Sequence, residues 1–401
     1  MKPVLLLSNG HGEDLSGALI AAELMQRGIP VEALPLVGHG SPYRQRGVPV
    51  LGRTRSFSTG GLGYTSLRSR LSELLEGQMG HVLSQLLLLL RRRHHYGLVV
   101  AVGDVLAVLG SWLSGLPSTI YLVAYSSHYE RRLRLPWPCR WLLKQKSIKA
   151  IWSRDPLSAN DLSQQLNRAV IFLGNPFLDV VHANPSESLP SLALVPGSRL
   201  PEAERNFALM LRVLALLPEE WARDQPLRMR AALIPELEGR RVAELAKPLG
   251  WRLEGSDRLV RGPLAIELGW GQFGEILTSS QLVMCMAGTA AEQAVGLGKP
   301  VLQLVGEGPQ FTAGFAEAQR RLLGLGVRCA PGSSGSEATL AASALIAHGL
   351  LEQQRDRKQG PALRQALAAL GLERIGKPGG SKAMAEAIMA MLRPNQASEL
   401  P

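Results

Sequence analysis

The stretch LALVPGSRLPEAERN, residues 192–206, decides the fold class. A short apolar run ends at Pro196-Gly197, and a polar segment that suits a helix follows it. An apolar run of this length that passes through a turn into a helix is typical of a βα unit. The amides of the turn and the guanidinium of Arg199, a fixed fork of donors, suit the oxygens of a diphosphate. We therefore predict that this corner opens a phosphate-binding α/β domain, in which Gly197, Ser198, Arg199 and Glu202 contact the ligand.

A second corner, MAGTAAEQAVGLGKPV at residues 286–301, has the same form. Its small residues lead from an apolar strand into a helix, whose first amides and positive dipole end favour a phosphate. An acidic or amide side chain one turn further on can bind ribose hydroxyls. Lys299 precedes a proline, so the segment is not a P-loop. The candidate binding residues of this corner are Gly288, Thr289, Ala290, Glu292 and Gln293.

The remaining sequence repeats this alternation of short apolar runs and helical patterns, which predicts an α/β protein with mainly parallel sheets. A chain of 401 residues exceeds the usual size of one hydrophobic core, so we expect two domains. They are an N-terminal domain at 1–181 and a C-terminal domain at 192–380, joined by a polar, proline-containing linker at 182–191. A C-terminal helix and tail occupy 381–401.

Predicted strands alternate with helices in both domains. The longest apolar stretch, 98–125, contains Asp104 and several glycines and prolines, so we interpret it as strand, helix and strand rather than as a membrane span. The predicted strands are 4–8, 31–36, 98–102, 119–123, 150–152, 170–173, 192–195, 229–233, 264–267, 282–285 and 301–304, and the predicted helices include 14–27, 66–90 and 383–391.

The first strand leads into the loop SNGHGEDLSG, residues 8–17. Its glycines allow a ligand close to the backbone. The dinucleotide fingerprint is absent, because Gly12 is followed by Glu13 and Asp14, which would repel a pyrophosphate. We predict that this loop binds a polar acceptor or a sugar. In the structural alternative, Asp14 is a helix N-cap and Glu13 is a surface residue.

The formal charge of +11 is unevenly distributed. Residues 1–180 contain 20 Lys and Arg against 11 Asp and Glu, whereas residues 181–401 contain 24 against 22. In residues 131–152 the cations alternate with leucines and tryptophans, a pattern that suits an anionic membrane surface. A helix that packs its apolar face inward is the alternative. No nucleic-acid-binding signature accompanies the charge, so no nucleic-acid partner is expected.

These segments, together with GNPFLD at 174–179, resemble the lipid-A-disaccharide synthase family and, more distantly, other GT-B transferases such as MurG. Residues 195–199 with Glu202 are similar to the LPGSRxxE segment of the family. Gly174-Asn175-Pro176 with Asp179 is similar to its GHPxxD segment, and residues 288–291 are similar to its GTA turn. The order and spacing agree across nearly the whole chain.

The resemblance implies two Rossmann-like domains that face each other across a cleft. It implies an inverting transfer from a UDP-sugar without a metal or other cofactor, with the nucleotide on the C-terminal domain and a lipid-like acceptor on the N-terminal domain. The expected location is cytoplasmic, on the cytoplasmic face of a membrane. Asn175 stands where the family has a histidine, and residues 125–129 differ from the corresponding family segment, so the acceptor is expected to differ from the lipid A precursor. Gln293 stands where the family has a glutamate, and Glu292 lies one position earlier, so both are candidates for ribose recognition.

In the expected reaction, a carboxylate takes the acceptor proton as an oxocarbenium-like transition state develops at the anomeric carbon. Arg199 and the amides of both corners would stabilise the departing UDP. Asp104 is the preferred base, and in the structural alternative it caps the following helix. The other candidate bases are Glu13, Asp14 and His11, and the candidate contacts to the donor sugar are Gln310 and Gln319.

Two other functions fit the same motifs. Nucleotide-sugar 2-epimerases share the two-domain architecture and need no acceptor, so incubation with a UDP-sugar alone separates them from a transferase. The second is a non-catalytic, membrane-associated protein that binds nucleotide sugars, which would neither hydrolyse nor transfer the sugar. A Rossmann oxidoreductase is disfavoured by the first loop, which lacks the fingerprint.

Overall fold

The structure is a computed structural model that describes residues 2–55, 77–129, 132–181, 190–218, 227–307 and 312–392. The chain divides into two compact units. Unit 1 comprises Met1–Asp179 and Lys377–Pro401, and unit 2 comprises Val180–Gly376. The C-terminal segment that the sequence set apart therefore belongs to unit 1.

Unit 1 contains a five-stranded parallel sheet with the order β2-β1-β3-β4-β5. This is a doubly wound order, in which the direction of strand addition reverses between β1 and β3. The strands are β1 (Val4–Asn9), β2 (Val31–Val37), β3 (Leu98–Val102), β4 (Ser118–Leu122) and β5 (Ile148–Ser153).

Strand β1 shows why this sheet forms. Val4 and Leu6 pack into the core on one face of the sheet, and Leu5 and Leu7 pack into the core on the other. A parallel strand covered on both faces needs apolar residues at successive positions, which is the pattern of the sequence here. The α/β class and the strand predicted at 4–8 are confirmed.

Helices cover both faces of this sheet. Residues 98–125 form β3, α4 and β4, as predicted, and none of the helices in the described ranges combines the length and apolarity needed to cross a bilayer. Of the helix predicted at 66–90, the described part begins at residue 78. The helices of unit 1 are α1 (His11–Gln26), α2 (Ser41–Arg44), α3 (Gln78–Arg92), α4 (Val105–Ser114), α5 (Cys139–Leu142), α6 (Pro156–Leu166) and α14 (Gly380–Leu392).

The strand predicted at 170–173 is wrong. This segment contributes one bridge, between Ile171 and Trp152. It runs instead into the GNPFLD segment, where Asp179 accepts hydrogen bonds from the amides of Gly379 and Ser381 and from the hydroxyl of Ser381. The segment thereby fixes the start of α14, which packs on α1.

Unit 2 contains an eight-stranded sheet with the order β13-β12-β11-β6-β7-β10-β9-β8. Six strands are parallel in the Rossmann order, and β8 and β9 add an antiparallel hairpin at one edge. The sequence missed β8, β9 and β13. The strands are β6 (Ser191–Val195), β7 (Arg228–Leu233), β8 (Arg252–Glu254), β9 (Arg258–Arg261), β10 (Leu264–Trp270), β11 (Leu282–Cys285), β12 (Val301–Gln303) and β13 (Val327–Cys329).

Helices also flank the sheet of unit 2. On α7 the buried side chains of Phe207, Met210 and Leu214 recur at helical spacing and pack in the core with Leu192 and Leu194 of β6. Most of the linker predicted at 182–191 lies outside the described residues. The helices are α7 (Glu202–Leu214), α8 (Gly239–Ala246), α9 (Phe273–Ser279), α10 (Gly288–Gly296), α11 (Ala313–Leu323), α12 (Glu337–Arg355) and α13 (Gln359–Arg374).

Asp179→Ala is expected to release the start of α14. Loss of a side chain that caps helix amides costs about 1–2 kcal/mol. Hydrogen exchange of the α14 amides should therefore be roughly 5- to 30-fold faster, because each 1.4 kcal/mol is about tenfold in the opening equilibrium. The control is Glu386→Ala, which removes a 58% exposed side chain from the same helix. Equal exchange rates in the two variants would contradict the assigned role of Asp179.

Candidate functional site

The two corners of unit 2 leave neighbouring strands at the same edge of the sheet. β6 and β11 are adjacent and parallel, with Val195 opposite Cys285. Just beyond them, the amide of Met286 donates to the carbonyl of Val195 at 2.9 Å. In the Rossmann order this pair is the point at which strand addition reverses, and ligands bind outside the carboxyl ends of the strands there.

Gly197 allows the first corner to turn. Its φ is 112°, a conformation that favours glycine, and a Cβ there would lie 3.5 Å from the carbonyl of Met286. The turn is held from behind, because the side-chain amide of Asn206 donates to the carbonyl of Pro196 at 2.8 Å. Ser198 is exposed at the tip of this corner.

Arg199 and Glu202 lie at the start of α7. The carbonyl of Arg199 accepts from the amide of Ala203 at 2.7 Å, and the Arg199 residue is partly exposed. Glu202 is the first residue of α7, and its carboxylate lies 3.6 Å from the guanidinium of Arg205. A carboxylate at this position stabilises the positive end of the helix dipole, so Glu202 supports the corner.

The second corner presents the start of α10. Ala287 precedes the helix and provides no side-chain cap for the first amides of α10. Gly288 and Thr289 are partly exposed, and Ala290 is buried beneath them. Oriented amides at a helix start suit an anion.

Gln319 on α11 lies beside this helix start. The side chain is 5% exposed, and its Nε2 lies 3.7 Å from the position that a Cβ on Gly288 would occupy. Among the described residues, no hydrogen-bond partner reaches its Oε1. A buried amide oxygen without a hydrogen bond destabilises the fold unless a ligand or water donates one to it. Glu292 and Gln293 are buried further along α10, and Gln310 lies outside the described residues.

In unit 1 the equivalent edge lies between β1 and β3. Asn9 ends β1, and its side-chain amide donates to Oδ1 of Asp104 at 2.9 Å. The same Oδ1 accepts from the amide of Leu106 at 2.9 Å, so Asp104 caps α4. The alternative in which Asp104 caps the following helix is therefore confirmed. Burial raises the pKa of this carboxyl.

Asp14 has a different role from the expected N-cap. Helix α1 begins at His11, and Gly10 occupies the cap position, so the alternative in which Asp14 caps the helix is wrong. Its buried carboxylate accepts from the hydroxyl of Ser8 at 2.6 Å and from the amide of Gly40 at 3.0 Å. Burial raises the pKa of Asp14 to about 7. The residue ties α1 to the loop after β2.

Glu13 lies at the strand ends and remains partly exposed. Its carboxyl packs against Gly10, and its Cγ lies 3.3 Å from the position of a Cβ on Gly103. Glycines at both positions therefore leave the room that this side chain fills. Burial of the carboxyl, reinforced by the charges of Asp104 and Asp14, raises the pKa of Glu13 to about 8.

The structure adds Arg154 to this group. Arg154 follows β5, is buried, and donates to the carbonyl of Val123 at 3.0 Å. Its charge opposes the rise in the pKa of Glu13. The sequence provided no signal for it, since a single arginine after a predicted strand is common. The remaining candidate, His11, begins α1, and its side chain lies outside the described residues.

The architecture matches solved enzymes over nearly the whole chain. CalG4, the calicheamicin glycosyltransferase, has a TM-score of 0.59 and 16% identity, covering 98% of this chain and 100% of that chain. The spinosyn rhamnosyltransferase SpnG, complexed with thymidine diphosphate, has a TM-score of 0.56 and 19% identity, covering 98% and 100%. The UDP-GlcNAc 2-epimerase of Neisseria meningitidis, bound to UDP-GlcNAc, has a TM-score of 0.53 and 16% identity, covering 97% and 100%.

At these identities the likeness establishes the fold alone. The chain has the GT-B fold of two Rossmann-like domains, as the sequence predicted. No protein-family model and no curated protein matches the sequence. The resemblance to the lipid-A-disaccharide synthase family therefore stays a prediction.

The raised pKa of Glu13 predicts a pH dependence of stability. Between its usual pKa of 4.5 and about 8 the folded protein retains a proton that the unfolded chain has lost, so stability falls as the pH rises through this range. Glu13→Gln cannot ionise. The melting temperature of the wild type relative to this variant should therefore fall between about pH 5 and about pH 9. For the control Glu386→Gln, the difference in melting temperature from the wild type should not change with pH. The same constant difference for Glu13→Gln would show that Glu13 has an ordinary pKa.

Proposed function

We propose that this protein is an inverting glycosyltransferase that moves a sugar from a UDP-sugar to a lipid-like acceptor without a metal. The observation that carries the proposal is the adjacency of the two corners at the strand-order reversal of unit 2. One corner supplies a glycine turn and an arginine, and the other supplies helix amides without a side-chain N-cap beside a buried glutamine. A nucleoside diphosphate suits this combination of donors.

In the proposed donor complex, the diphosphate lies over the amides of residues 197–198 and 288–289, with the guanidinium of Arg199 against its oxygens. These donors are held by backbone that is already folded, so they need little reorganisation as charge develops on the departing UDP. Glu292 or Gln293 binds the ribose. Gln310 and Gln319 are the proposed contacts to the donor sugar.

Unit 1 is the proposed acceptor unit, and Glu13 is the proposed general base. Oδ1 of Asp104 and both carboxylate oxygens of Asp14 accept internal hydrogen bonds, and both residues are buried. Glu13 is partly exposed and has a pKa of about 8. A base with such a pKa suits proton transfer at neutral pH. Glu13 takes the proton of the acceptor hydroxyl, the hydroxyl oxygen bonds to the anomeric carbon, and the bond from that carbon to UDP breaks.

A lipid-like acceptor and a peripheral position on the cytoplasmic face of a membrane complete the proposal. The support is the basic segment 131–152, in which the described part exposes Trp137 at 92% and Trp141 at 52%. Exposed tryptophans beside lysines and arginines are typical of surfaces that contact the headgroup region.

Arg199→Ala is expected to weaken UDP binding by about 10- to 100-fold, because hydrogen bonds to charged groups contribute about 1.5–3 kcal/mol. The measurement is the shift in melting temperature on titration with UDP, since a ligand that binds the folded state stabilises it by mass action. Arg240→Ala removes an 85% exposed arginine from the same unit and is the control. Absence of a UDP-induced shift in the wild type would refute the proposed function.

Glu13→Gln is expected to lower turnover by about 100- to 10,000-fold, the range that general base catalysis provides. The assay follows UDP release from UDP-sugars with water or a lipid-linked sugar as acceptor. Wild-type turnover should rise with pH towards about 8, since the base acts when ionised, and the variant should lose this dependence. If Asp104→Asn alone abolishes the pH dependence, Asp104 is the base. Conversion of the UDP-sugar without UDP release would identify an epimerase instead.

A further inference from the structure

Unit 1 contains a shallow basic groove that the proposed reaction does not use. Its volume is ≈ 660 Å³, and its lining includes Lys144, Lys146, Lys149, Asn167 and Arg168. None of the described residues that line it is acidic. Four cationic side chains in one concavity without a carboxylate create a positive potential that attracts anions. We call these residues the lysine groove.

The groove has a fixed floor. The guanidinium of Arg168 donates to the carbonyl of Leu143 at 2.9 Å and to the carbonyl of Ile148, so it joins the loop before β5 to the end of α6. Asn167, with a φ of 50°, ends α6 in the left-handed conformation. The arginine therefore organises the site, and the three exposed lysines remain to meet a ligand.

The lysine groove is distinct from the candidate acceptor site. Ile148, which lines the groove, is the first residue of β5, so the groove lies at the amino edge of the parallel sheet. Glu13 and Asp104 lie at the carboxyl edge. The six residues of a strand separate the two edges by roughly 20 Å. An anion bound in the groove cannot therefore be the reacting end of the acceptor.

Exposed tryptophans adjoin the groove. Trp141 lies on α5, three residues before Lys144, and its ring meets the ring of Trp112 edge to face at 5.3 Å between centroids. This contact orients Trp141 although the residue is 52% exposed, and Trp137 is 92% exposed. Rigidly placed aromatic rings beside lysines suit the boundary between headgroups and acyl chains, where cations meet phosphates.

We propose that the lysine groove binds the phosphate headgroup of an anionic membrane lipid while Trp137 and Trp141 enter the interfacial layer. The inference rests on the proposed function in one respect, namely that a lipid-like acceptor requires the enzyme at a membrane surface. It adds a second lipid site, which holds the enzyme at that surface and takes no part in the transfer.

The test measures binding of the full chain to vesicles of phosphatidylcholine with and without phosphatidylglycerol. Lys144→Gln/Lys146→Gln should weaken binding to the anionic vesicles by about 30-fold, because each lysine near such a surface contributes about 1 kcal/mol. The matched control is Lys247→Gln/Lys358→Gln, which removes the same charge from exposed positions of unit 2. The control should change binding by less than about threefold, since distant charges are screened.

An equal loss of vesicle binding in the two double variants would overturn the proposal. Wild-type binding that is the same with and without phosphatidylglycerol would also overturn it. If inorganic phosphate binds at the groove lysines but the protein does not bind vesicles, the groove is a site for a soluble anion. That result would also overturn the proposal. The UDP-induced melting shift is measured on the same proteins and should be unchanged in the groove variant. Vesicle binding without a UDP shift would refute the proposed function, and a UDP shift without vesicle binding would refute the groove alone.

Discussion

The pairing of two non-consecutive parallel strands is the constraint on which both candidate sites depend. β1 pairs with β3 in unit 1, and β6 pairs with β11 in unit 2. Each pairing lies where the direction of strand addition reverses, so the loops that follow the two strands diverge to opposite faces of the sheet. A crevice forms between them, and polar residues that are far apart in the chain meet at its rim.

The two crevices differ in charge although they share this geometry. Unit 1 gathers the carboxyl groups of Glu13, Asp14 and Asp104, whose burial raises their pKa values. Unit 2 offers backbone amides and Arg199 instead. When its carboxyl groups are ionised, the crevice of unit 1 would repel a nucleoside diphosphate, whereas the crevice of unit 2 would attract it. The chemistry of the strand ends therefore supports the proposal that unit 2 binds the donor and unit 1 a hydroxyl-bearing acceptor.

Several motif residues maintain the architecture through internal hydrogen bonds. Asp179, in the segment that resembles a family motif, holds the start of α14. Asp104 caps α4 and binds Asn9, while Asp14 holds the loop after β2. These hydrogen bonds satisfy helix and loop amides that would otherwise be unpaired. Such bonds fix the positions of the residues around Glu13. Glu13 itself is partly exposed and has a pKa of about 8.

The sequence by itself determined the α/β class, most of the strands, and the two corners of unit 2, because apolar periodicity and turn composition are local properties. It missed the β8–β9 hairpin, whose short strands are rich in arginine, and it assigned a strand to 170–173 that has too few partners to form one. Only the tertiary structure decided the strand order, the packing of α14 on unit 1, and the burial of Asp104 beside a partly exposed Glu13. Those outcomes depend on burial and on contacts between distant residues, which no local pattern in the chain encodes.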